Sequence, residues 1–253
     1  RINEQSLKIC VEDLEDGDAR AVYKEVSQDL VNYGRIKMYL HAEQNGTSLV
    51  EDDEMTGFIR LGLDQTSNYY EIEVPLKVTP DNAAPYTPEE IWPLENEINL
   101  SLNELYGVKA ARNGSEVNVE DEFRRPSEDG RYMLTIVGNP KLNNITTMMI
   151  GVRNPKSEDN AEPHSLCIWA NEMRVTDYDD EKGWAANARV SLKLADFATL
   201  NAATRYTSVG FGSIQDNISQ RTREQSFDYD LSMNMNIDKL IPWNTGIKIP
   251  MFV

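Results

Sequence analysis

Apolar and polar residues alternate with a period of two along much of the chain, the pattern of a β-strand with one buried face. In residues 35–42 every second side chain is apolar, beginning at Ile36. Residues 101–111 are predicted to form a short helix. Further strands are predicted at residues 6–11, 21–26, 58–63, 69–76, 97–102, 132–137, 146–152 and 165–169. Clusters of turn-forming residues separate these runs, so residues 1–180 are predicted to form an antiparallel, jelly-roll-like β-sandwich.

The last part of the chain, residues 184–253, shows a longer and stricter alternation. It occupies residues 186–194, 198–207 and 227–238. The polar positions of the first and third runs are Asn187, Arg189, Ser191, Lys193, Asp228, Asp230, Ser232 and Asn234. The apolar positions are Ala188, Val190, Leu192, Leu194, Leu231, Met233, Met235 and Ile237. Runs of about 9–12 residues match the length of a tilted transmembrane β-strand, with the polar positions facing a wet lumen and the apolar positions facing lipid or a partner.

Aromatic residues at the ends of these runs favour the membrane interpretation, because an interfacial girdle would place them there. They are Trp184, Tyr206, Phe227, Tyr229 and Trp243. A soluble sandwich also has strands with one apolar face, so periodicity alone leaves both interpretations open. A closed barrel needs about eight strands, and only three full runs and part of a fourth are present. The predicted fold class is therefore all-β, a sandwich followed by strands of a large but incomplete transmembrane β-barrel.

The charge is distributed unevenly between the two regions. The chain of 253 residues has a net charge of −17. Residues 184–253 contain seven basic and six acidic side chains, so the whole acidic excess belongs to residues 1–183. Such an acidic surface repels phosphate backbones, and we expect no nucleic-acid partner. Uncharged stretches such as residues 142–152 are far too short for a membrane helix.

Several segments, taken together and in order, resemble the SprA/Sov family. The clearest is Gly183-Trp184-Ala185-Ala186-Asn187-Ala188-Arg189, continuing to residue 196. Others are residues 13–21, 33–38, 68–76, 210–214 and 229–231. The resemblance covers nearly the whole chain but only about a tenth of a family member. Because the chain starts at Arg1 and ends in an apolar run at residues 249–253, we expect it to be a piece of a longer polypeptide.

The resemblance implies a role in protein export. The family forms the outer-membrane translocon of the type IX secretion system, which is linked to gliding motility in Gram-negative bacteria. It is a giant single-chain barrel through which folded cargo proteins with a C-terminal signal domain pass. A PorV-type barrel and a periplasmic plug are its implied partners, together with outer-membrane lipid. The implied localisation is the outer membrane and the cell surface.

The lengths of the connections predict an orientation. Outer-membrane barrels have short periplasmic turns and longer extracellular loops. The connection at residues 195–197 is short, whereas residues 208–225 form a long polar connection. The first strand would then enter from outside at Trp184, and residues 1–180 would form an extracellular cap.

Candidate chemistry is sparse. No nucleophile elbow, phosphate-binding loop or dinucleotide fingerprint occurs, so we expect neither an enzyme nor a cofactor. His41, on the polar face of a predicted strand, and His164, in a predicted Pro-flanked loop, have no partners at catalytic or zinc spacing, which favours structural roles. The acidic cluster of Asp13, Glu15, Asp16 and Asp18 could supply oxygen ligands to calcium, but a turn with solvated charges is the simpler interpretation.

Two further interpretations concern cysteines and aromatic residues. Cys10 and Cys167 both lie in predicted strands, and in an exported protein they could form a disulfide or remain small core residues. Tyr69, Tyr70, Trp92 and Trp169 could stack on sugars, although core packing explains them equally simply. The alternative function is accordingly a soluble carbohydrate-binding β-sandwich protein.

Overall fold

A computed structural model describes residues 6–45, 49–79, 86–157, 161–179, 182–212, 221–222, 224–240 and 246–252. The chain divides into two compact units, unit 1 (Arg1–Asp179) and unit 2 (Asp180–Val253). Each unit is built mainly of antiparallel strands, which confirms the antiparallel β part of the predicted fold class. The jelly-roll connectivity and the barrel stay predictions.

The first half of unit 1 is a run of six strands. They are β1 (Leu7–Leu14), β2 (Ala19–Gln28), β3 (Tyr33–Gln44), β4 (Thr56–Gly62), β5 (Tyr69–Pro75) and the short β6 (Val78–Thr79). Five of them coincide with predicted strands. The two-residue β6, which pairs parallel to β3, was not predicted because so short a run has no measurable alternation.

The second half of unit 1 mixes strands with two helices. Helix α1 (Pro88–Ile91) precedes β7 (Ile98–Ser101), and helix α2 (Leu102–Asn113) follows it directly. The remaining strands are β8 (Phe123–Pro126), β9 (Met133–Val137), β10 (Ile145–Arg153) and β11 (His164–Tyr178). Helix α2 confirms the helix predicted at residues 101–111. Strand β11 runs nine residues past its predicted end, through a bulge between Asn171 and Arg174 that interrupts the alternation.

Unit 1 consists of two sheets that share one hydrophobic core. The first sheet has the order β1-β11-β3-β6, with β7 also paired to β3, and the second has the order β2-β10-β4-β5-β9-β8. Ile36 and Leu40 from the first sheet and Ile59 and Ile72 from the second are buried in one cluster. The sheets approach so closely at Gly57 that a Cβ there would lie 2.8 Å from a methyl group of Leu40.

Unit 2 is a single open sheet. Strands β12 (Ala185–Leu194), β13 (Ala198–Thr207) and β14 (Ser226–Asn236) pair antiparallel, and β15 (Pro250–Phe252) pairs with the end of β14. The three long strands match the runs predicted at residues 186–194, 198–207 and 227–238. Strand β14 ends at Asn236, so Ile237 lies in the 3-10 turn Ile237–Leu240 rather than in the strand as predicted. Trp243, the middle of the 208–225 connection and residues 213 and 214 of the family motif lie outside the described residues.

Candidate functional site

The sheet of unit 2 has one polar and one apolar face. Strands β12, β13 and β14 pair without a register shift, so side chains from the three strands line up in rows across the sheet. One row is Ser191, Asn201 and Ser232, and the next row is Leu192, Leu200 and Met233. Successive rows face opposite sides because the side-chain period of a strand is two. The predicted polar and apolar positions therefore segregate cleanly onto the two faces of the strands.

The apolar face is largely exposed. Val190 is 50% exposed, Leu192 47% and Leu231 65%. Phe227, Tyr229 and Leu194 extend the same exposed surface. A soluble monomer rarely leaves a contiguous apolar surface of this kind uncovered, so this face is suited to contact with lipid or with another protein.

Both edges of the sheet carry unpaired backbone groups. Among the described residues, β12 pairs only with β13, which leaves its outer edge free over ten residues. On the opposite side, β14 pairs with β15 only at Asn234, Met235 and Asn236. Long free edges template the addition of further strands, and native proteins cover them. The sheet therefore has the geometry of a segment of a larger sheet.

The polar face is organised by charge. Arg205 lies in register between Asn187 and Asp228, and Arg189 shares a row with Asp230. Between these rows a groove of about 610 Å³ opens beside the small side chain of Ala203. Further along the sheet, the Ser191 hydroxyl donates to Oδ1 of Asn201 at 2.7 Å. This face offers hydrogen-bonding groups and charges of both signs, and it suits contact with water.

Four of the predicted girdle aromatics gather at one end of the sheet. The rings of Trp184 and Tyr206 lie 4.5 Å apart, and those of Phe227 and Tyr229 lie 6.4 Å apart. Tyr206 and Phe227 are register partners, which joins the two pairs. Trp184 is fixed at this end by Ser208, at the start of the long connection: its carbonyl accepts the Ser208 N–H, and its own N–H donates to the Ser208 hydroxyl.

Comparison with known families gives the assignment. A family model described as "motility related/secretion protein", SprA_N, matches residues 1–253. The chain belongs to the SprA_N family. This confirms the resemblance found in the sequence motifs. No curated protein matches the chain. None of the helices described for this SprA_N member is long and apolar enough to cross a membrane.

A disulfide links the first strand of the SprA_N chain to β11. Cys10 of β1 and Cys167 of β11 are direct register partners and are bonded to each other. The two residues are 157 positions apart in sequence. β1 is the edge strand of its sheet, so its strand partner lies on one side only. The disulfide therefore adds a covalent link to this edge strand.

The predicted acidic cluster forms a turn rather than a cluster of ligands. Asp18 donates its N–H to the Glu15 carbonyl, and its carboxylate lies 3.6 Å from the Arg20 guanidinium. The Asp16 carboxylate accepts the backbone N–H of Ser157. Asp13 has a positive φ of 47°, at the irregularity between β1 and β11. In the described ranges, no three His, Cys, Asp or Glu side chains come together as a metal-binding group.

Both histidines of the SprA_N chain are buried. His41 lies within 3.2 Å of the Thr79 hydroxyl, and its ring is 5.8 Å from that of Trp92. Burial lowers the pKa of His41 below its ordinary value, so the ring is neutral at pH 7. His164 begins β11 and its Nε2 lies 3.9 Å from the Glu54 carboxylate. The predicted placement of His164 in a loop was wrong, since the strand begins one residue after Pro163.

The aromatic residues considered for sugar stacking are mostly covered. Tyr70 is buried in the core, and Tyr69 is buried beneath the Arg60 guanidinium at 3.7 Å from its ring centroid. The Lys8 ammonium lies 4.7 Å from the centroid of the Trp169 ring. Trp92 lines a groove. The carbohydrate-binding alternative is therefore not supported.

One feature that sequence reasoning missed is a buried charge network on the outer face of the second sheet. Glu71 and Glu73, which are 2% and 3% exposed, lie two residues apart on β5. Arg153 contacts both carboxylates, at 2.8 and 2.6 Å. Arg60 adds a bond to Glu71, and Arg124 adds one to Glu73, each at 2.6 Å. Residues 69–76 were predicted only as a strand, and the guanidinium groups that bury its two glutamates come from three other strands.

Proposed function

We propose that this chain is part of the outer-membrane β-barrel translocon that exports folded proteins through the type IX secretion system. Membership of a motility and secretion family supports a role in secretion and is consistent with a cell-envelope location. The observation that carries the proposal is the sheet of unit 2, with its exposed apolar face, polar opposite face and free edges.

The dimensions of this sheet suit a bilayer. A strand of ten residues, such as β12 or β13, is about 33 Å long. At a tilt of about 35–45° it spans about 25 Å, the height of the apolar band of an outer-membrane barrel. The apolar positions of these strands then face lipid or a partner barrel, and the polar positions line the lumen. Strands from the rest of the polypeptide complete the barrel along the free edges.

The proposed location of unit 1 follows from the connections in unit 2. The turn between β12 and β13 spans only residues 195–197, whereas the connection between β13 and β14 is long. Short turns are periplasmic in this class of barrel, so β12 enters from the outside. Unit 1 is then an acidic extracellular cap, and its disulfide is suited to an oxidising environment.

In this proposal the protein transports other proteins and has no catalytic activity of its own. Its partners are a PorV-type barrel, a periplasmic plug and cargo proteins with a C-terminal signal domain, as the family resemblance implies. The described part of the chain provides two kinds of surface for such partners, the apolar face of unit 2 and the acidic surface of unit 1.

Accessibility in intact cells tests the proposal. An epitope inserted in the exposed loop at Glu116 of the full-length protein should be detected by antibody without permeabilisation. An epitope in the 195–197 turn of unit 2 should be detected only after the outer membrane is opened. Detection of the Glu116 epitope only after opening would contradict the cap assignment, and recovery of the protein in the soluble fraction would contradict the membrane assignment.

A further inference from the structure

A groove lies on the outer face of the first sheet of unit 1, and the proposed function assigns it no role. It has a volume of about 680 Å³ and lies between β3, β11 and the segment that contains α1. Its lining includes Tyr39, Trp92, Leu94, Glu89, Glu95 and Glu172.

The aromatic part of the groove is held in a fixed position. Tyr39 projects from β3, and its register partner on β11 is Asn171. Trp92 ends helix α1, which is capped at its start by a reciprocal pair of bonds between Thr87 and Glu90. The ring of His41 lies 5.8 Å from the Trp92 ring, at an interplanar angle of 56°. The two aromatic side chains are therefore set by a strand and a capped helix rather than by a loose loop.

The wall opposite β3 is also fixed. The Arg131 guanidinium donates to the backbone carbonyl groups of Leu94 and Glu97, which anchors the 3-10 turn Leu94–Asn96. Leu94 itself presents an apolar side chain to the solvent and is 69% exposed. On the third side, the bulge in β11 places Glu172 at the rim with a positive φ of 49°.

The charge at the rim is negative and largely uncompensated. Glu172 is paired with Arg174 at 2.8 Å, and the Arg174 guanidinium also lies over the Tyr39 ring, 5.9 Å from its centroid. Within the described part of the chain, neither Glu89 nor Glu95 has an ion-pair partner. Residues 1–183 as a whole carry the acidic excess of the chain. The groove thus combines the aromatic side chain of Trp92 with exposed carboxylates, which is the chemistry that recognises Lys and Arg side chains.

We propose that this groove binds an extended, positively charged segment of another polypeptide. Lys or Arg side chains of that segment lie over Trp92, and their charged ends reach Glu89 and Glu95. Apolar side chains of the same segment cover Leu94. The acidic surface of unit 1 accelerates the encounter with such a segment by long-range attraction, so association weakens with salt.

The test measures binding of a peptide in which Lys and Ala alternate, labelled with a fluorophore, to the full chain in detergent. A peptide of the same length with Glu in place of Lys is the probe control. The double variant Glu89→Gln, Glu95→Gln should weaken binding of the Lys peptide by about fivefold to tenfold. Trp92→Ala should weaken it by a similar factor, and Trp92→Phe should retain part of the affinity.

A matched charge control separates local recognition from general attraction. The double variant Glu116→Gln, Glu120→Gln makes the same change in net charge at exposed positions outside the groove. It should change the affinity by less than about twofold. Equal losses in both double variants would overturn the proposal, since they would show attraction to the whole acidic surface.

Other occupants of the groove are distinguished in the same experiment. Binding of maltoheptaose that Trp92→Ala abolishes, with no binding of the Lys peptide, would overturn the proposal in favour of a sugar site. Concentration-dependent self-association that Trp92→Ala abolishes would overturn it in favour of a second copy of this chain. Neither result would bear on the membrane assignment of unit 2, which rests on different residues.

Discussion

Leu192 of β12 and Met233 of β14 lie in one row across the sheet of unit 2, separated only by Leu200. The neighbouring row contains Ser191 and Ser232 and faces the opposite side. A shift of one residue along the strand therefore exchanges an apolar surface for a polar one. Substitutions at adjacent positions therefore test the two faces independently.

Arginine substitutions at these positions should have opposite consequences. Leu192→Arg or Met233→Arg should destabilise the assembled protein by about 2–4 kcal/mol, because in the proposed barrel each places a charge in the apolar band. Ser191→Arg and Ser232→Arg are matched controls that place the same charge in the proposed lumen, and each should cost far less. The level of folded, heat-modifiable protein in outer-membrane fractions measures the effect. Equal assembly of all four variants would show that the faces are wrongly assigned.

The disulfide between Cys10 and Cys167 should make a large contribution to the stability of unit 1. It closes a loop with a sequence separation of 157 residues, for which chain entropy predicts about 5 kcal/mol. In the double variant Cys10→Ser, Cys167→Ser, backbone amides of β1 should exchange with solvent much faster, since β1 is an edge strand. Hydrogen exchange of the full chain measures this. A reducing agent should reproduce the effect in the wild type and leave the double variant unchanged.

The buried charge network on β5 should be sensitive to the loss of one member. Glu73→Ala leaves Arg153 and Arg124 without a shared carboxylate and removes the partner of the Thr56 hydroxyl. Breaking a buried ion pair from one side costs about 3–5 kcal/mol. Glu122→Ala removes an exposed carboxylate 3.6 Å from the same Arg124 and should cost less than about 1 kcal/mol. Urea titration of the two variants compares the losses, and similar midpoints would contradict a structural role for the network.

Acid should weaken the loop that contains Asp64. Partial burial alone would raise the pKa of this carboxyl, but hydrogen bonds from the Asn68 side chain and from backbone N–H groups of residues 66–68 lower it from 3.8 to about 2. A group with a lowered pKa in the folded state stabilises the protein above its unfolded pKa and loses that contribution as the pH falls through the folded value.

The variant Asp64→Asn removes this titration. Wild type and variant should therefore differ most in stability above about pH 4 and converge as the pH approaches 2. Unfolding midpoints measured across this pH range provide the comparison. A difference that stays constant with pH would show that the carboxylate charge does not contribute.

The sequence predicted what depends on local periodicity. The strands of unit 2 begin and end within a residue or two of their predicted limits because each has a nearly continuous alternation, which breaks at Ala203 within β13. The end of β11 was misplaced because the bulge at Glu172 shifts the alternation. The exact pairing of Cys10 with Cys167 depends on which strands become neighbours, and no local pattern contains that information.

The candidate sites also divide into those that local periodicity predicts and those that depend on contacts between distant parts of the chain. The two faces of unit 2 could be predicted because each strand carries its own pattern. The groove beside Trp92 could not, since it requires Tyr39 and Glu172 to be brought from distant parts of the chain to helix α1. The network around Glu71 was missed for the same reason, because its arginines come from three other strands.

The most direct test of the central claim is the lipid contact of single side chains in unit 2. Both cysteines of this chain are in the disulfide, so neither competes for the label with a cysteine introduced into unit 2. Val190→Cys and Ser191→Cys, each labelled with an environment-sensitive fluorophore in the reconstituted full-length protein, report on adjacent positions of opposite faces. Lipids with a quencher in their acyl chains should quench the label at residue 190 strongly and the label at residue 191 weakly. Equal quenching at both positions, or none at residue 190, would contradict the account.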